Sequence, residues 1–162
     1  MTTECLFFLV ILVYMLVNVW TDTRYLKTKN EWHLLIGGFF FVVGAINDLI
    51  LLLLIAIVIT VFLGVMLSKV PHTTLGAGDT KMLMVVAMYF QNLNPSINPL
   101  ILVLIIICVY IVLSFIQLSL FRVVSFFLKR DISFFSYRTE GEKVITPEAL
   151  PILITVMLIS QL

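Results

Sequence analysis

Two aspartates stand where an ionisable side chain is costly. Asp22 lies just past the first apolar run and Asp79 just before the fourth. A carboxylate at a lipid boundary must be paired or hydrated. Asp79 sits in Leu75-Gly76-Ala77-Gly78-Asp79-Thr80-Lys81-Met82. The glycines open backbone conformations closed to other residues and let a peptide come near. Asp22 begins Asp22-Thr23-Arg24-Tyr25-Leu26-Lys27-Thr28-Lys29-Asn30. Each aspartate has a structural reading: Asp79 as a helix N-cap, Asp22 as part of a solvated loop that anchors a helix. Taken together they suggest a paired-carboxylate site. Two carboxyls within a few ångströms do not both ionise readily. The protonated one polarises an amide carbonyl while the ionised one takes a proton from water, which is the chemistry of amide hydrolysis.

The elements that must position these acids are apolar. Of the 162 residues, 62% are hydrophobic and 12% charged, against about half and a quarter in an average soluble domain. Lipid is therefore the expected solvent. The apolar runs are Cys5–Trp20, Trp32–Ile46, Leu49–Leu67, Lys81–Phe90, Pro99–Phe121 and Ala149–Leu162. The pattern predicts an all-α integral membrane protein, a bundle of about six transmembrane helices. With no repeat and no low-complexity tract, residues 1–162 read as a single transmembrane domain. The first run follows Glu4 rather than a basic segment, so it reads as a retained helix, not a cleaved signal. Gly37, Gly38 and Gly44 would let the second helix pack closely. Asn47–Asp48 predicts a tight turn. A fourth helix of about eleven residues would span only about 16 Å; it is either longer at both ends or begins recessed from the surface. Arg122–Ile145 reads as an interfacial segment with the aromatic pairs Phe126–Phe127 and Phe134–Phe135. Thr146 and Pro147 are the expected N-cap and first residue of the last helix.

If the helices alternate in direction, all ten basic residues fall on one side or at its boundary: Arg24, Lys27, Lys29, Lys69, Lys81, Arg122, Lys129, Arg130, Arg138 and Lys143. That side is expected to be cytoplasmic, with both termini outside and Asp22 and Asp79 on the cytoplasmic face of the cell membrane. The net charge of +1 gives no pull toward nucleic acid; the expected surroundings are the lipid bilayer.

The remaining candidates read more plainly. Cys5 and Cys108 are expected to be small apolar core residues. His33 and His72 lack a second ligand at metal spacing and read as interfacial or turn residues, so no metal is expected. Lys81 either steadies Asp79 or snorkels from a helix end. Arg24 either supports the first loop or sets topology. Asp131, Glu140, Glu142 and Glu148, among basic neighbours, read as solvated. Met82, Met84 and Met88 read as core or lipid-facing packing.

The two aspartate segments resemble the type IV prepilin peptidase family, the membrane aspartyl proteases that include the archaeal preflagellin peptidases. Gly76, Gly78, Asp79 and Lys81 match the family's Gly-x-Gly-Asp-x-Lys. Asp22, Arg24 and Asn30 match its Asp-x-Arg…Asn segment, while Thr28 and Lys29 stand where Ile and Pro are usual. The resemblance implies catalytic roles for Asp22 and Asp79, with Gly76, Gly78, Lys81, Arg24 and Asn30 supporting them. It implies a prepilin-like or pseudopilin substrate, whose short basic leader is cut where it meets a hydrophobic helix. It implies no cofactor. Many members also carry a CxxC region and N-methylate the new terminus; that motif is not in this sequence, so no use of S-adenosylmethionine is expected. The presenilin-type pattern, a Tyr-Asp pair within one helix, fits less well, since neither Tyr14 nor Tyr25 is followed by Asp. Two other function classes stay open: a small ion- or proton-coupled transporter subunit, which would place acids in mid-span, and a non-catalytic pilus assembly factor, which would not need both acids.

Overall fold

A computed structural model describes residues 3–25, 28–69, 75–128, 138–140, 143–145 and 147–161. Among these residues, six helices carry the fold: α1 (Thr3–Tyr25), α2 (Asn30–Ile46), α3 (Ile50–Ser68), α4 (Ala77–Leu93), α5 (Pro99–Leu128) and α6 (Ala149–Ile159). Between α5 and α6 lies a short antiparallel pair, β1 (Arg138–Glu140) and β2 (Lys143–Ile145), with Thr139 opposite Val144. The expectations for His72, Asp131, Glu142, Phe134, Phe135 and Thr146 fall outside the described residues, as does that for the side chain of Glu140.

Among the described residues, three helices are long and apolar enough to cross a membrane: α1, α3 and the Pro99–Leu120 part of α5. Their outer faces bear large apolar side chains. Leu51 is 69% exposed, Val58 65% and Phe115 70%. Water would penalise such surface at about 25 cal/mol per Å², whereas hydrocarbon does not. The chain is thus a membrane protein by its helices. α2 and α6 are apolar but shorter.

The helices differ from the apolar runs mainly at their ends. α1 continues past Trp20 to Tyr25, so Asp22 lies inside its last turns rather than beyond it. The hydroxyls of Thr21 and Thr23 donate back to the carbonyls of Val17 and Val19 at 3.1 and 2.7 Å, which lets these polar residues remain helical. α4 is longer than its apolar run at both ends, and Asp79 is its third residue. α5 stays helical to Leu128, through the start of the segment expected to be interfacial. α6 takes Glu148 as N-cap and Ala149 as first residue, in place of Thr146 and Pro147. The turn at Asn47–Asp48 is present, with Asp48 at φ 58°, a left-handed conformation that aspartate tolerates.

α4 is the central helix and packs against all five others. From Met82 to Gln91 all but one of its residues are buried. Close approach to it depends on small residues: a Cβ at Gly64 of α3 would collide with the Thr80 side chain, and one at Gly37 of α2 would come 3.2 Å from Met88. Phe7, Phe40, Tyr89 and Phe90 form a run of edge-to-face contacts on one side of α4. Cys5 and Cys108, expected in the core, are exposed on the outside of their helices, where a small apolar side chain suits lipid equally well.

Candidate active site

The buried face of α1 runs Phe7, Ile11, Tyr14, Met15, Asn18, Asp22. That is one stripe at helical spacing, and the aspartate completes it. Asp22 is thus carried inward by the same periodicity that seats the core, and only 6% of it is exposed. Its Oδ2 accepts from the backbone amide of Ala149, the first residue of α6, at 2.9 Å. An ionised oxygen at a helix N-terminus is well placed, since the first amides of a helix lack internal partners.

Asp79 is 9% exposed. Its Oδ2 accepts from the backbone amide of Gly76 at 2.7 Å. This reverses the expected N-cap: Asp79 reaches back from the third helical position, as the acid of a capping box does, and Gly76 holds the cap position. A Cβ on Gly76 would lie 3.0 Å from that same oxygen, so the glycine leaves the carboxylate its place.

The two motif segments meet. Lys81 Nζ donates to Asn30 Oδ1 at 2.7 Å, joining α4 to the start of α2. A Cβ on Gly78 would come 2.6 Å from Thr28 Oγ1, so the loop after α1 lies directly on the glycine of the second motif. Thr28 is held from the other side. Its hydroxyl is 2.9 Å from His33 Nε2, and His33 Nδ1 is 2.6 Å from the Tyr14 hydroxyl. His33 is itself buried. Arg24, in contrast, faces outward, with its guanidinium over the Trp20 and Tyr25 rings at 5.9 and 5.5 Å. It supports the membrane-boundary end of α1, not the carboxylates.

A third acid belongs to the site. Glu148, expected to be solvated, is 2% exposed. Its Oε2 accepts from Ser114 Oγ at 2.6 Å and from the Tyr110 hydroxyl at 3.0 Å. Gln117 Nε2 donates to the adjacent Pro147 carbonyl at 2.8 Å. The charged segment before it, Arg138 to Lys143, hid this residue, but a signal existed on α5. Tyr110, Ser114 and Gln117 stand at i, i+4 and i+7 on the otherwise apolar stretch 99–118 of α5, a polar stripe that must find polar partners inside the protein. Asp22, Asp79 and Glu148 lie within Coulombic reach of one another. Among the described residues, no group of three or more His, Cys, Asp or Glu side chains is arranged to hold a metal ion.

The structure therefore gathers Asp22, Asp79, Gly76, Gly78, Lys81 and Asn30 at one end of the bundle, turns Arg24 away and adds Glu148. Comparison with protein-family models, curated protein sequences and solved structures finds no match.

Proposed function

We propose that this protein is a membrane aspartic endopeptidase that cleaves the short basic leader of a prepilin-like or pseudopilin protein at the cytoplasmic boundary of the cell membrane. The observation that carries the reading is that two buried aspartates from distant segments come together, each accepting from backbone amides at a helix start, with the charge of Asp22 bearing on Asp79. Two such groups sharing a proton divide the labour of hydrolysis, one donating to the scissile carbonyl and one accepting from the attacking water. The pair titrates as a unit, and the roles belong to the pair rather than to one residue.

In this reading α2, α4 and α6 join the three longer helices as spans, giving six. The positive-inside rule turns the aspartates toward the cytoplasm and the termini outward. A basic leader emerging from a hydrophobic helix would then meet an acidic site at the membrane surface. The transport alternative calls for acids near mid-span; Asp22 lies in the last turns of α1 and Asp79 in the first turn of α4.

The test uses the purified protein in liposomes with a leader-bearing pilin-like substrate and mass spectrometry of the products. The expected result is a single cut between the leader and the hydrophobic segment, with no metal or cofactor added. An intact substrate, under conditions where the protein remains folded, would contradict the proposal.

A further inference from the structure

Glu148 does two things at once. Its side chain is fastened to α5 by the Tyr110 and Ser114 hydroxyls, and the next residue in the chain sends its amide to Asp22. The path from α5 to the candidate catalytic carboxylate is therefore short: Tyr110 and Ser114, the Glu148 side chain, the start of α6, the Ala149 amide, Asp22 Oδ2. The N-cap position has no side-chain cap bond, because the Glu148 carboxylate points to α5 instead of back to its own helix. A buried acid at that position gives up the usual capping bond. What it gains is a fixed location for the first amides of α6. Gln117 secures the same turn through the Pro147 carbonyl, so α5 holds α6 at two successive residues.

We propose that Glu148 is a positioning residue of the site: its hydrogen bonds to Tyr110 and Ser114 fix the start of α6 so that the Ala149 amide holds Asp22 in its working orientation. This rests on the peptidase reading above, but its geometric half stands without it. The role belongs to the acceptor oxygen, so a neutral isostere should retain it. Glu148→Gln keeps an oxygen for the two hydroxyls, and Glu148→Ala removes it.

The experiment measures leader cleavage and, separately, amide exchange at Ala149 in detergent or lipid. For Glu148→Ala, kcat is expected to fall about tenfold or more with KM within about twofold, the pattern of an interaction that matters to the reacting geometry rather than to substrate binding. Exchange at Ala149 should quicken by about tenfold as its bond to Asp22 loosens. Glu148→Gln should stay within about threefold of the unaltered protein in both readouts. Should Glu148→Ala fail to fold, Tyr110→Phe combined with Ser114→Ala strips the same two bonds and is expected to show the same slow kcat and fast exchange. The proposal is overturned by a Glu148→Gln protein as slow as Glu148→Ala, which would assign the role to charge. It is equally overturned by a rise in KM alone, which would place Glu148 on the substrate, or by unchanged exchange at Ala149. If the unaltered protein cuts no leader, the peptidase reading fails and the exchange at Ala149 alone decides the positioning role.

Discussion

The Lys81 ammonium donates to the Asn30 side-chain oxygen at 2.7 Å, across 51 residues of sequence. The bond ties the helix that carries Asp79 to the helix that follows the Asp22 segment. It is a charge-assisted contact, but an exposed one, so its worth to stability is modest.

Lys81→Met and Asn30→Ala should therefore each lower stability by only about 0.5–1 kcal/mol while slowing leader cleavage more than that loss would suggest. The double variant should be no worse than the poorer single one, since both remove the same bond. Cleavage rates and detergent denaturation of the three proteins measure this. Additive losses in rate would show that Lys81 and Asn30 act apart.

Gly78 and Gly38 make a paired comparison of identical substitutions. Gly78→Ala puts a methyl 2.6 Å from Thr28 Oγ1, and relieving that overlap should cost about 1–3 kcal/mol and displace the loop beside Asp79. Gly38→Ala, in the interior of α2, meets nothing within 4 Å, so it should stabilise the protein by about 0.5–1 kcal/mol, the helix preference of alanine over glycine. Melting of the two variants, with cleavage measured in parallel, separates them. Equal behaviour would mean that the Gly78–Thr28 approach is not a constraint.

The orientation of the bundle is open to a reporter assay. A periplasmic-type enzyme fused after Leu162 should be active, and cysteine at Asp48 should react with an impermeant thiol reagent added from outside. A cytoplasmic signal at either point would break the alternation on which the six-span reading depends.

Much of the site was legible because it obeys local rules. The apolar pattern puts Asp22 at the membrane-boundary end of the first helix, and Gly76-x-Gly78-Asp79 announces a tight entry into a helix. That Asp22 completes the core stripe of α1 emerges only once α1 is seen to continue past Trp20. The turn at Asn47–Asp48 and the extent of α3 also follow the apolar pattern closely. The helix ends did not. The hydroxyls of Thr21 and Thr23 are satisfied by carbonyls one turn back in α1, so these polar residues stay within the helix, which hydropathy does not register. Glu148 was hidden for a different reason. It follows a segment rich in charge, Arg138 to Lys143, and only the fold brings it to Tyr110 and Ser114 on another helix. The burial of His33 was not legible either, since the Tyr14 and Thr28 hydroxyls that let a histidine be buried come from separate segments.

A functional carboxylate pair requires both members. Asp22→Asn and Asp79→Asn preserve shape and keep an oxygen to accept from the Ala149 and Gly76 amides, so both proteins should fold and reach the membrane. Each should nevertheless cleave a leader-bearing substrate at least about a thousandfold more slowly than the unaltered protein, the size of loss usual when a member of a cooperating catalytic set is removed. The decisive measurement is the single-turnover cleavage rate of the two variants beside the unaltered protein in the same liposomes. Loss of cleavage in both would support the aspartyl pair; normal cleavage by either one would contradict it.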